Sequence, residues 1–367
     1  MSSRLFSPIT IDSLALSNRI VIPPMCQYAA PQSLPTPWHH MHYGTLACSG
    51  AGMLIIEATG VQPEGRITPW CLGLWNDQQA QGHKQLLDDM RTYSTMPVGI
   101  QLAHAGRKGS TYPMWAKAGI VPEQEGGWVT RAPSGIPYNP TDPSPKALTS
   151  EEIPQLVKDF ASAAERAHHA GYDFIELHAA HGYLLHQFLS PITNKRTDQY
   201  GGDLANRMRL TIEVFKAIRS AFPAEKPVGV RLSATDWIEG GWDVPSSVAL
   251  LQELQSLGCA YAHISSGGLA PEQQLSPAPG YQTGFATTIK QAISIPTITV
   301  GLITSPEQAE HIVVSHQADM VAVGRGMLFN PRWPWYAALA LGAKVNVPPQ
   351  YWRGAPYTAK NLFEQPS

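Results

Sequence analysis

Cysteine is scarce in this 367-residue chain, and the four copies are scattered. Cys26, Cys48, Cys71 and Cys259 form no C-x-x-C pair, which argues against an iron–sulfur cluster and against a disulfide framework. Long apolar runs are missing too: none approaches the ~18 residues that a membrane-spanning helix needs. Residues 1–8 contain no charged segment leading into an apolar one, so no secretory signal is visible and a soluble, cytoplasmic protein is expected. Neither sign of charge dominates. A net charge of -2 with a pI near 6.7 leaves no basic footprint, so no nucleic-acid partner is expected. No G-x-G-x-x-G follows the first apolar run, which disfavours a doubly wound dinucleotide-binding sheet. No H-E-x-x-H helix is present either, and a metal site is not expected.

What the chain does have is a 43% hydrophobic composition, enough for a large core, and 32 prolines and 31 glycines to break it into short elements. Residues 6–16 alternate around Asp12-Ser13 like a small hairpin. Apolar runs read as buried strands at 20–22, 53–57, 98–102, 174–177, 228–232, 261–265, 297–300 and 320–323. Helical patterns lie between them at 40–49, 77–93, 149–170, 204–222, 246–257, 289–292 and 306–315, the third opened by a capping-box spacing at Thr149–Glu152. Runs that are apolar throughout suit parallel strands buried on both faces. Eight strand–helix alternations then predict an α/β fold of the (β/α)8 TIM-barrel type, with an N-terminal β-hairpin. The whole of 1–367 reads as one domain. Residues 108–146, rich in Pro, Gly and Trp, are expected as a capping insertion after strand three, and 343–367 as a C-terminal tail.

The chemistry clusters just after the fourth strand. His178, His181 and Tyr183 follow Phe174-Ile175-Glu176-Leu177, and Gly182 is expected to end the strand and leave both histidines on a turn. Strand ends at this position carry the active sites of parallel barrels. Two imidazole N–H groups aimed at one oxygen suit a carbonyl gaining negative charge, and a phenol can return a proton. Other readings stand beside this one. The histidines, with His186, could ligate a metal, as in a metal-dependent barrel hydrolase, or they could simply cap the strand.

The string His178-x-x-His181-Gly182-Tyr183, Phe188-Leu189-Ser190-Pro191, Asn194-x-Arg196-x-Asp198-x-Tyr200-Gly201-Gly202 and Asn206-Arg207-x-Arg209 resembles the Old Yellow Enzyme family. The likeness runs over most of the chain and points to the thermophilic-like, bacterial xenobiotic-reductase branch. It implies an FMN-dependent ene-reductase that uses NADPH or NADH. In such an enzyme the flavin is reduced first, and an α,β-unsaturated carbonyl or nitro compound is then reduced at the same site. His178 and His181 would hold the substrate oxygen and Tyr183 would protonate the α-carbon. Pro24, Met25 and Ala58 would line the ring, Cys26 would adjust its redox potential, and Tyr28 would touch substrate. Leu302 departs from relatives that carry an aromatic residue there.

Barrel register supports a phosphate site independently, which could serve a sugar phosphate or a non-covalently bound FMN. Gly301 and Gly324-Arg325 follow strands seven and eight, where barrels bind phosphate, although glycine can also merely end a strand. Gln101 and Arg231, taken as the ends of strands three and five, offer an amide and a fixed positive charge to a flavin's pyrimidine edge; a structural ion pair is the plainer role for Arg231. Last, Tyr351-Trp352-Arg353-Gly354 resembles the branch's tail motif, in which an arginine completes a neighbouring subunit's site. The expectation is a homodimer or homotetramer with Arg353 contacting substrate, in a proline-rich tail unable to form a helix of its own.

Overall fold

The structure, a computed structural model, describes residues 2–364. Eight parallel strands close into a barrel: β3 (Ile20–Ile22), β4 (Met53–Gly60), β5 (Val98–Ala103), β8 (Phe174–Ala179), β9 (Val228–Ser233), β10 (Ala262–Ser265), β11 (Thr297–Val300) and β12 (Met320–Ala322), with β12 pairing back onto β3. This is the TIM barrel the alternation predicts. A hairpin, β1 (Ile9–Ile11) with β2 (Leu14–Leu16), closes the N-terminal end. Its Ile11 and Leu16 pack with Val21, Met53, Ile55, Phe174, Ile298 and Met320, so the lower half of the barrel is a solid apolar plug.

The helices α1 (Pro37–Ala47), α2 (Asp77–Arg91), α3 (Ile153–Ala170), α5 (Leu204–Ala221), α6 (Val244–Ser256), α7 (Thr283–Ala292) and α8 (Pro306–Val314) ring the strands. Their starts are written in short polar side chains. Asn76, Asp203, Asp243 and Ser305 each accept a hydrogen bond from the backbone N–H three residues on, satisfying a donor the helix itself leaves free. The third helix differs from expectation. Glu152 does reach back to the Thr149 N–H at 2.9 Å, but 149–152 is a turn and the helix begins at Ile153. Pro154 explains the shift, because proline is tolerated only in the first turn of a helix. Three short helices escaped the pattern search: α4 (Leu184–Leu189), α9 (Arg325–Phe329) and α10 (Trp333–Ala340). All six residues of α4 are buried, so it carries no amphipathic period to detect.

Within residues 108–146 the short strand β6 (Arg131–Ala132) pairs with β7 (Lys146–Ala147), and Met114 and Trp115 line a cavity at the barrel's C-terminal end. Arg107 anchors the stretch by donating to the carbonyls of Ile136, Pro137 and Leu269. The tail folds back on its own barrel. Val345 and Phe363 pair, and the Trp335 ring of α10 packs on Tyr351 and Phe363 at 5.3 and 5.0 Å. One expectation fails here: Pro349–Gly354, which contains Arg353, is a short 3-10 helix. Proline at its first position needs no N–H partner and brings a helical φ, so it starts the turn it was expected to forbid.

Candidate active site

The upper half of the barrel interior is polar, and strand register explains why. Side chains two apart on a strand share a face. On β8 the inward face carries Phe174 in the plug, then Glu176, then His178. Sideways, Gln101 pairs in register with Glu176, His178 with Arg231, and Arg231 with His263. Gln101 and Arg231 are therefore not strand ends. Each has two further strand residues above it. Nor does His178 lie on a turn: it is the penultimate residue of β8, and only His181 has left the strand.

His181 and Gly182 follow with φ of 58° and 73°, two left-handed residues in succession that turn the chain back over itself. A Cβ on Gly182 would stand 2.1 Å from the Gly268 carbonyl oxygen, so the reversal requires glycine. The turn is clamped on both sides. The His181 N–H donates to Ser233 Oγ at 2.9 Å. The Gly182 N–H donates to His186 Nδ1 at 2.9 Å, which places the His186 proton on Nε2, bonded to buried Asp236 at 2.7 Å. His186 is thereby occupied away from the other two histidines, and among the described residues no three His, Cys, Asp or Glu side chains form a group fit to hold a metal. Lys108 fastens the same turn from the capping stretch, donating to the carbonyls of His181 and Gly268 at 2.8 and 2.7 Å. Its ammonium lies over the rings of Tyr138 and Tyr183. Burial, with Arg107 adjoining, pushes the Lys108 amine down to about 8.

This folding brings the His181 ring within 5.2 Å of His178, edge to face, with Tyr183 4.9 Å from His178 on another side. The Ala180 N–H donates to His178 Nδ1, so the His178 proton sits on Nε2. That nitrogen is 3.4 Å from His181 Nδ1, while His181 Nε2 is 2.7 Å from Ser265 Oγ. Burial, then the charge of Arg231, holds both imidazoles well below their usual range, and they are neutral near pH 7. Burial also raises the Tyr183 phenol and the Cys26 thiol, so both keep their protons; Cys26 is a thiol here, not a thiolate.

Two adjoining cavities open at this end of the barrel. The larger, about 640 Å³, is lined by Cys26, Tyr28, Ala58, Gln101, Arg231 and the His178–His181–Tyr183 group. The smaller, about 260 Å³, is lined by Met25, Gly301, Leu302, Gly324 and Arg325; Pro24 and Arg231 face both. Every residue singled out from the sequence for this site therefore lines one of the two, except Arg353, which is exposed on the tail. Leu302 falls in the smaller cavity, away from the histidines. The sequence reading missed Lys108, Glu176, Ser265 and the rim residues Trp38, Met114, Trp115 and Leu328. Glu176 and Ser265 were detectable by the two-residue period from His178 and His263. The rim residues carry no such signal.

The cavities fit a flavin mononucleotide. Arg231 is buried and its Nε has no partner, an orphaned cation that an anionic ring edge would satisfy. Gln101 presents an amide beside it. The smaller cavity adds two strand-end glycines and a second arginine, the ingredients of a phosphate site. The fold and the site together define a flavin-dependent barrel oxidoreductase.

Comparison with known proteins agrees. Residues 4–341 match the NADH:flavin oxidoreductase / NADH oxidase family. The chain is 42% identical over 356 residues to the NADPH dehydrogenase of Geobacillus thermodenitrificans, covering 96% of this chain and 99% of that one. It is 41% identical over 355 residues to the NADPH dehydrogenase of Listeria welshimeri, with the same coverage. A solved structure of morphinone reductase superposes with a TM-score of 0.78 at 30% identity, covering all of this chain and 94% of the other. A 2-naphthoyl-CoA reductase structure, 24% identical over 93% of this chain and 52% of its own, shares the fold with a TM-score of 0.82. The chain belongs to the NADH:flavin oxidoreductase family, that is, the Old Yellow Enzyme family. It is an FMN-dependent enzyme reduced by a nicotinamide.

Proposed function

We propose that this enzyme is an NADPH-dependent ene-reductase acting on the activated C=C bond of α,β-unsaturated carbonyl or nitro compounds. The observation that carries the reading is the pair of neutral imidazoles with His178 Nε2 and His181 Nδ1 3.4 Å apart on the wall of the larger cavity. FMN, when bound, supplies the hydride chemistry. Pro24, Met25, Cys26, Ala58, Gln101 and Arg231 would hold its ring, and Gly301, Gly324 and Arg325 its phosphate. The protein's part is to orient the acceptor and handle the proton.

His178 Nε2–H is a donor by virtue of the Ala180 contact. His181 becomes a second donor when the Ser265 hydroxyl, which also reaches Gln282 Oε1 at 3.3 Å, donates instead to His181 Nε2, because the proton then rests on Nδ1. Two N–H groups converging on one carbonyl or nitro oxygen stabilise the negative charge that grows there, and each such donor is worth about 10²–10³ in rate. Tyr183, protonated and next to His178, delivers the proton to the α-carbon. Tyr28 and the 108–146 cap, whose Trp115 ring meets Tyr28 at 5.6 Å, shape the substrate's surroundings. Nicotinamide and acceptor take turns in this one cavity, a ping-pong scheme.

The whole chain acts as one domain in this reading, in the cytoplasm, as a homodimer or homotetramer. Arg353, exposed on the 343–367 tail, reaches a neighbouring subunit's pocket. No described helix is long and apolar enough to cross a membrane. The test is anaerobic stopped-flow: photoreduced enzyme mixed with a panel of enones and nitroalkenes should reoxidise at rates saturating in acceptor. Failure of every activated alkene to reoxidise it, while oxygen does, would overturn the proposal.

A further inference from the structure

Beneath the cavity lies a carboxyl group that the reaction does not use. Glu176 on β8 is fully buried, with no contact to either cavity. Three donors converge on it. Gln101 Nε2 donates to Oε1 at 2.8 Å, His263 Nδ1–H donates to Oε2 at 2.9 Å, and the Tyr261 hydroxyl donates to Oε2 at 3.4 Å. A carboxyl accepting at both oxygens from three donors is bound as the carboxylate, since a carboxylic acid would need an acceptor for its own proton. The bare Nε2 of His263, buried without a partner, completes this assignment by leaving the His263 proton on Nδ1. Arg231 is partnerless at Nε and lies in the field of this carboxylate. Keeping a buried charge costs the desolvation of that charge, so its presence in the field of an unpaired arginine calls for a role.

We infer that Glu176 is a positioning residue for the FMN ring edge. It fixes the face of Gln101 offered to the ring and offsets part of the Arg231 charge. The first effect follows from donor arithmetic. A carboxylate accepts only, so the Gln101 amide cannot flip to put its oxygen downward, and Oε1 with one N–H is left for the cavity. The second effect follows from the sign of charge. An unopposed Arg231 would favour the reduced, anionic ring most strongly; the carboxylate below it weakens that preference and keeps the reduced enzyme a better hydride donor.

The inference rests on FMN occupying the cavity lined by Gln101 and Arg231, and the test separates the two. Wild-type protein purified without FMN and unable to take it up on titration would sink the FMN assignment itself. With holoenzyme in hand, the measurement is the two-electron midpoint potential, together with the Kd of oxidised FMN, for wild type, Glu176→Gln and Glu176→Asp. E176Q removes the charge at constant shape, and its reduced ring should be favoured about tenfold more, which is about 30 mV more positive. E176D keeps the charge but is one methylene too short for Gln101. Its potential should stay near wild type while FMN binding weakens about tenfold, and this arm remains informative if E176Q does not fold. A folded E176Q holoenzyme with an unchanged potential, or an E176D enzyme with wild-type FMN affinity, overturns the corresponding half of the inference.

Discussion

The two walls of the larger cavity are built by different means. The inner wall stands on strands: Gln101, His178 and Arg231 are 1%, 3% and 8% exposed. Each projects from a hydrogen-bonded ladder, and their backbone neighbours pair in register from β5 through β10. The outer wall stands on the first turn of α1, the 108–146 stretch and α9. Trp38, Trp115, Met114 and Leu328 are 49%, 66%, 87% and 49% exposed; Trp38 Nε1 donates to Gln27 Oε1 at 3.0 Å and the Trp115 ring meets Tyr28 at 5.6 Å. A side chain on a ladder has its direction set by hundreds of atoms that cannot move separately, which suits groups that must meet a reacting atom within a fraction of an ångström. A side chain on a loop can be exchanged or re-angled without disturbing the core, which suits groups that select substrates. On the proposed function, this contrast predicts a separation between the groups that carry the reaction and those that select substrates.

Substitutions can break that separation. The largest effect should come from the inner wall: His178→Ala with His181→Ala should keep FMN but lose about 10⁴ in the rate of enone-driven reoxidation, at about a hundredfold per donor. Normal reoxidation in that double variant would remove the oxygen-binding role from the pair. Next comes Tyr183→Phe, which should leave reduction by NADPH nearly intact and slow enone reduction by about 10²–10⁴. An unchanged rate with every enone would reassign Tyr183 to packing, where its contact with His178 already places it.

The outer wall should respond more weakly and in another parameter. Truncation before Tyr351 should raise KM for enones about tenfold and loosen subunit association, with FMN retained; a fully active monomer by light scattering would show that Arg353 serves no neighbour. Trp115→Ala should alter the ranking of substrates by KM, each by less than about tenfold, with kcat held. A large uniform fall in kcat would instead show that the cap positions the chemistry.

The smallest effect is on stability, and acid should find the inner structure first. Burial holds His83 at about 4 and His104 at about 3, while the same residues titrate near 6.5 in the unfolded chain. Below pH 6.5 the unfolded state therefore binds more protons than the fold. The stability contributed by these neutral histidines is complete above about pH 6.5 and is lost progressively as pH falls toward 4. Melting temperatures should be level from pH 7 to 8 and decline from pH 6 to 4.5. An increase over that range would contradict the buried, neutral assignment.

Much of this was legible in the linear chain. Buried strands announce themselves as short apolar runs, and their eightfold alternation with helices leaves a closed barrel as the simplest arrangement. Once the barrel is drawn, chemistry belongs at its C-terminal end, so the His178–Tyr183 string, Gln101, Arg231 and the late glycines could be named before any coordinate. Boundaries were less legible where a local rule met a stronger one: Pro154 delayed α3, and wholly buried α4 had no period to read.

What the amino-acid order determined by itself was everything carried by local periodicity and by residue type at a strand end: the barrel, the site's end, and the cast of donors. Pairing between distant segments came from the folded arrangement alone. That His186 turns to Asp236 and not to a metal, that Ser265 faces His181, that Lys108 ties residues 108–146 to the His181–Gly182 turn, and that Glu176 underlies Gln101 all depend on strand register and on loop closure across 50 to 84 residues. Local sequence carries no record of such contacts, because they are set by how the closed barrel brings its strands and loops side by side, and a shift of one residue along a strand would turn Gln101, Glu176 or Ser265 to the opposite face.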